Sequence, residues 1–326
     1  MSVSVDAISI ARDEERRASR DGRADRIFRW VVFGAGALVL CTLAGVALTT
    51  LWGGREAFAT FGFKFLYSTD WDTVGHQFGA LAPVYGTLVT AAIAMLIAVP
   101  VSFGIALYLT EIAPTWLRTP VGAAIELLAG IPSIIYGMWG LFVFVPLMGR
   151  YVIPWLNDHV GSWPVIGPLF SGPPLGLGML TAGIVLAIMV IPFISSVMRE
   201  VFLTVPTRLK ESAYALGSTT WEVVWDVVLP YTRTAVIGGI FLGLGRALGE
   251  TMAVTFVLGN VHRLSLSLLE PGNSIAATIA NEFAEADSEI FRSSLIALAF
   301  LLFVVTFIVL AVAKVMLRQM QKREGT

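Results

Sequence analysis

The sequence predicts an all-α membrane protein with six transmembrane helices. Three observations lead there. Of 326 residues, 56% are hydrophobic and only 14% are charged, where a soluble domain carries about 25% charge. The mean hydropathy is +0.78, more apolar surface than a chain of this size can hide from water. The apolar residues also gather into six stretches, each close to the roughly 20 residues a helix needs to cross a bilayer. Alternating β-barrel patterning is absent, so helices must satisfy the backbone in lipid. A cytosolic enzyme, a disordered chain and a nucleic-acid-binding domain are excluded on composition.

Residues 1–27 are polar, contain several acids and lack the apolar core of a signal peptide, so they read as a solvated tail. Residues 28–52 form the first span and 53–84 an external loop. The segment 85–316 holds five further spans, near 85–109, 121–148, 177–198, 235–258 and 291–316, and 317–326 is a C-terminal end. Lysine and arginine favour cytoplasmic loops. With this arrangement sixteen basic residues fall on one side, seven of them at the N-terminal end up to Arg29, and five on the other. Both termini are therefore expected in the cytoplasm. The remaining basic residue, Arg246, lies inside the fifth span, away from its ends. Trp52, Trp71, Trp155 and Trp163 are placed to anchor the outer boundary. Pro100, Pro132 and Pro192 can kink or break their helices.

Other features carry little chemistry. The lone Cys41 has no partner for a disulfide and there is no CxxC. His76, His159 and His262 are far apart in external loops and read as solvated, and no metal site is expected. Glu282, Glu285, Asp287 and Glu289 lack calcium-loop spacing and read as a solvated acidic face.

The loop between spans four and five is longer than a turn requires. A helix is expected from Pro206 to a left-handed stop at Gly217. A second helix should start at Thr219, with Glu222 completing a capping box, and end near Leu229-Pro230, since the residue before proline resists helix. Tyr214, Leu216 and Trp221 would form an exposed knob suited to a cytosolic partner. In span five, Arg246 and Glu250 are four residues apart and would share a helical face as an ion pair. Such charges mark either a substrate path or a lock between helices. The arginine fork matches phosphate or carboxylate oxygens. Gly239-xxx-Gly243 and Gly245-xxx-Gly249 would allow a close helix contact, as at a subunit interface.

The pattern Glu211-Ser212-Ala213, Gly217 and Val227-x-Leu229-Pro230 resembles the EAA loop of ABC importer permeases, with mild departures at Ser212 and Val227. The stretches 127–137 (Leu-Leu-Ala-Gly-Ile-Pro-Ser-Ile-Ile-Tyr-Gly), 246–254 (Arg-Ala-Leu-Gly-Glu-Thr-Met-Ala-Val) and 270–284 resemble the phosphate-specific permeases of the PstC type, over most of 60–316. The resemblance implies the type I, MetI-like permease fold in a bacterial inner (plasma) membrane. It implies ATPase docking through Glu211, Ala213, Gly217, Leu229 and Pro230, and phosphate passage near Arg246 and Glu250. It also implies a PstA-like second permease, a PstB-like ATPase dimer and a PstS-like external phosphate-binding protein. No lysine is followed by Ser or Thr, so a P-loop is absent. The chain is expected to be a transport subunit without catalysis or cofactor of its own, ATP being bound by a partner. Alternatives are a permease for sulfate or molybdate, and a self-sufficient secondary transporter, which would call for internal repeats. An intramembrane enzyme would need more convergent polar groups than these spans hold.

Overall fold

The computed structural model describes the backbone of residues 3–324 and the side chains of 25–319. Up to residue 24, the expected solvated character of the N-terminal tail lies outside the described side chains, as does that of the C-terminal end beyond 319. The chain divides into two units, Met1–Trp52 and Gly53–Thr326. Among the described residues, six helical segments are long and apolar enough to cross a membrane: Asp25–Gly53, Leu81–Ile112, Ser133–His159, Met179–Leu203, Thr220–Leu248 and Glu289–Gln319.

The first unit is essentially one helix, α1 (Val3–Gly53). The second opens with α2 (Arg55–Phe61), α3 (Lys64–Tyr67) and a two-stranded antiparallel ribbon, β1 (Trp71–Asp72) paired with β2 (Gln77–Phe78). The expected external loop is therefore structured, and α4 (Leu81–Leu107) begins four residues before the expected span. A π turn, Tyr108–Ile112, prolongs α4. Then come α5 (Thr115–Ala129), α6 (Ser133–Trp139), α7 (Val145–Leu147) and α8 (Ile153–His159), the last three joined by π turns into one rod. The remaining helices are α9 (Met179–Leu203), α10 (Thr207–Ala215), α11 (Thr220–Val223), α12 (Leu229–Leu248), α13 (Met252–Leu258), α14 (Ile275–Glu282) and α15 (Glu289–Glu324).

Two expectations need correction. The third crossing does not run through 121–148: Gly130-Ile131-Pro132 ends α5, and the crossing begins at Ser133. Pro132 cannot donate its backbone nitrogen, and the Tyr136 hydroxyl bridges the break by donating to the Leu128 carbonyl at 3.0 Å. The fifth crossing is likewise broken at Gly249–Thr251, between α12 and α13. Pro100 and Pro192, by contrast, sit inside continuous helices, α4 and α9.

The helix α9 is central: 61% of its apolar window is buried, against at most 28% for the other crossings. Lipid tails are as apolar as the side chains, so small residues and close packing hold such helices together. Ala91, Ala94 and Ala98 of α4 are almost fully buried. Gly183 of α9 admits Ile93, which would lie 2.5 Å from an added Cβ. Gly239 and Gly243 of α12 do the same for Val197 and Ile194 of α9. That glycine pair thus serves packing within the chain, which corrects its expected place at a subunit interface.

A second core joins Phe65, Phe78, Ala57 and Phe291, under α2 and the ribbon, to α15. The Ala57 N–H donates to Ser293 Oγ, whose hydroxyl donates to the Gly53 carbonyl.

Candidate transport site and coupling loop

Arg246 occupies the last turn of α12, and the helix stops two residues later at Leu248. Gly249 takes the C-cap, and the chain restarts as α13 at Met252. This break removes the four-residue spacing from any common helical face. Glu250 does not pair with Arg246; its Oε1 accepts the Ala253 N–H at 3.2 Å and caps α13. A carboxylate there meets the positive end of the helix. The expected Arg246–Glu250 ion pair is corrected accordingly.

The Arg246 guanidinium lies over the Phe193 ring of α9, 5.5 Å from its centroid. Its Nε is buried without a hydrogen-bond partner, although the side chain as a whole is only half-buried. Tyr136 of α6 lies within electrostatic reach of the same charge. The helix carrying Tyr136 approaches α13 closely, because Gly137 faces Phe256 and the Met252 carbonyl at 2.8 and 2.9 Å from an added Cβ. Two broken helices thus meet beside one half-open arginine. Tyr136 and Phe193 were not singled out by sequence reasoning, although Tyr136 stands in one of the motifs.

The loop after α9 takes the expected hairpin form for α10. Gly217 has φ +91°. Its N–H donates to the Tyr214 carbonyl at 2.9 Å and that of Ser218 to Ala213 at 3.1 Å, the two bonds of a Schellman stop. Thr219 and Glu222 form the reciprocal capping box. Glu211, Gly217 and Pro230 are exposed, and Ala213 and Leu229 are half-buried. Tyr214, Leu216 and Trp221 stand exposed at 42%, 88% and 60%.

Pro230 does not end the second helix. A π turn over Val224–Val228 carries α11 directly into α12, with Pro230 in the first turn of α12. A proline inside a regular helix collides with the carbonyl four residues back. The wider i→i+5 turn, closed by the Leu229 N–H donating to the Val224 carbonyl, accommodates the ring, and the Thr232 hydroxyl donates to the Val228 carbonyl at 2.7 Å.

Sequence reasoning missed two further groupings. Lys210 of α10 pairs with Glu111, at the end of α4, at 2.6 Å, with the two side chains 16% and 6% exposed. On the opposite face, His262 Nε2 lies 2.6 Å from Glu282 Oε1 and 2.9 Å from Asn273 Nδ2. The Trp71 indole N–H donates to Glu282 Oε2 at 2.7 Å, and its ring stacks on His262 at 4.8 Å. His262 is therefore built into a network rather than solvated, Trp71 takes part in it, and Glu282 leaves the solvated acidic face. His76 and His159 are exposed as expected. The partners lie up to 211 residues apart in sequence, so no local pattern announces them.

Known proteins place the chain. The family model for binding-protein-dependent transport system inner membrane components matches residues 98–322. The chain is 67% identical over 309 residues to the phosphate transport system permease protein PstC of Xylella fastidiosa (strain 9a5c), covering 95% of each. It is 56% identical over 299 residues to PstC of Pasteurella multocida (strain Pm70), covering 92% of this chain and 93% of the relative. Among solved structures, a chain of the bacterial alginate ABC transporter, crystallised with its alginate pentasaccharide-bound periplasmic protein, superposes with a TM-score of 0.58 at 18% identity, covering 90% of this chain and 96% of that one. That likeness concerns the fold, an all-α permease fold as expected. The chain belongs to the binding-protein-dependent transport system inner membrane component family, in its PstC group.

Proposed function

We propose that this permease subunit moves inorganic phosphate into the cytoplasm as part of an ATP-driven ABC importer, with Arg246 on the phosphate path. The observation that carries the reading is Arg246 itself. An arginine within a span is costly, by about 2.5–3.5 kcal/mol on insertion scales, and its usual reason is a pathway. Here no carboxylate among the described residues neutralises it, and Nε has no acceptor among them. Phosphate oxygens supply acceptors that match the guanidinium fork. Glu250 holds the broken helix in place by capping α13, which leaves the fork open to an anion. The substrate assignment is supported by relatives whose names specify phosphate transport.

The α10–α11 hairpin, with Glu211, Ala213 and Gly217, and the start of α12, with Leu229 and Pro230, dock a separate PstB-like ATPase dimer; the chain needs no cofactor of its own, since ATP is bound by that partner. A PstA-like permease completes the pathway and a PstS-like protein delivers phosphate from outside. The excess of basic residues on one side supports a cytoplasmic location for both termini. The test is uptake of radiolabelled phosphate at low concentration in cells with and without the gene, with excess sulfate or molybdate. Loss of an ATP-dependent component that the competitors leave untouched is the expected result. Unchanged phosphate uptake, or strong competition by sulfate, moves the substrate to another oxyanion.

A further inference from the structure

We infer that the Lys210–Glu111 pair is the tie through which the docking loop moves α4, so that both are positioning residues for coupling. The inference rests on the reading of α10 as the docking element. This helix is nine residues long and none of them is buried, so it has no apolar stripe by which to hold to the bundle. Ala213 leans on the core, and Lys210 reaches the end of α4 with a 2.6 Å charge-assisted bond. On the α11 side, the same end of α4 faces Thr220, Trp221 and Val224 across a groove of about 440 Å³, lined also by Leu107 and Ile112. Direct packing is open there, while the polar bond is short and shielded. Glu111, only 6% exposed, is poorly served by water and depends on its cation.

The far end of α4 gives the tie its significance. The Thr87 hydroxyl oxygen accepts the Ile275 N–H at 3.0 Å. Gly86 lies against the Asn273 carbonyl so closely that an added Cβ would collide with it. Asn273 in turn touches His262 in the network on the opposite face. The helix α4 is thus fastened at one end to the docking loop and at the other to the opposite-face network. Displacement of α10 has a second route through the molecule besides its covalent continuation into α12.

The test uses the complete transporter in proteoliposomes, with phosphate uptake and ATP hydrolysis measured together. Uptake by the unaltered complex checks the functional reading independently; its absence there indicts that reading and not the tie. Lys210→Met and Glu111→Gln are each expected to lower phosphate moved per ATP hydrolysed by about five- to a hundredfold, the usual span of coupling between sites. Lys210→Arg should retain most of the ratio, and the exchange Glu111→Lys with Lys210→Glu should recover it. If Lys210→Met fails to assemble, the exchange decides by the same ratio. An unchanged ratio in the single variants, or an exchange no better than they are, overturns the inference.

Discussion

Gly217 offers a quantitative test of the docking hairpin. Its φ of +91° is left-handed, and no atom stands within 4 Å of a Cβ added there. Replacement by valine therefore acts through backbone strain and not through collision within the chain. A side chain in left-handed backbone costs about 1–2 kcal/mol, and more for a β-branched one. At about 1.4 kcal/mol per tenfold, the docking-competent hairpin loses roughly five- to thirtyfold in weight against alternatives in which the Schellman bonds open. If docking selects that form, apparent affinity for the ATPase falls by up to the same factor. Asparagine tolerates the left-handed region and has comparable bulk, so Gly217→Asn controls for contact with the ATPase surface. The assay is retention of the ATPase on immobilised permease complex over a dilution series. Gly217→Val should shift the midpoint by the factor above and Gly217→Asn by much less. Equal shifts, or none, would refute the strain argument.

Three further outcomes are expected. Arg246→Gln should abolish phosphate uptake in an assembled complex, and Arg246→Lys should not restore it because a point charge cannot replace the fork; normal transport by the glutamine variant removes Arg246 from the path. Gly86→Ala drives a methyl into the Asn273 carbonyl, backbone against backbone, and should destabilise by at least the roughly 1–3 kcal/mol typical of overpacking, seen as a lower thermal midpoint of the purified protein; an unaltered midpoint contradicts the close approach. Trp71→Phe keeps an aromatic face for His262 but removes the donor to Glu282; a loss of about 1–3 kcal/mol is expected, and a double-mutant cycle with Glu282→Gln should show the two changes to be non-additive.

The six crossings were legible because hydropathy is a property of composition, and lipid leaves the backbone few choices. Their interruptions were not. Apolar residues continue on both sides of Gly130–Pro132 and Gly249–Thr251, so a count of hydrophobic residues runs straight through each break. The expected Arg246–Glu250 pair followed from assuming a continuous helix. The hairpin was legible in detail because Gly217, Thr219 and Glu222 act locally, within a few residues. Pro230 misled because a π turn leaves no compositional trace, and the proline rule describes a regular ladder. Lys210–Glu111 and the Trp71–His262–Glu282 network depend on tertiary approach, 99 and 211 residues apart for two of their bonds.

The continuity of Thr220–Leu248 has a mechanical meaning. These 29 residues form one unbroken rod, with Trp221 on the exposed hairpin at one end and Arg246 near the other. At 1.5 Å per residue the lever is about 40 Å long. Pivoting at its Thr220 end through about 5° would sweep the arginine sideways by about 3–4 Å, roughly one hydrogen-bond length. If Arg246 lies on the phosphate path as proposed, a guanidinium that travels so far would meet an anion at one limit of the stroke and leave it at the other, with no rearrangement of its own side chain.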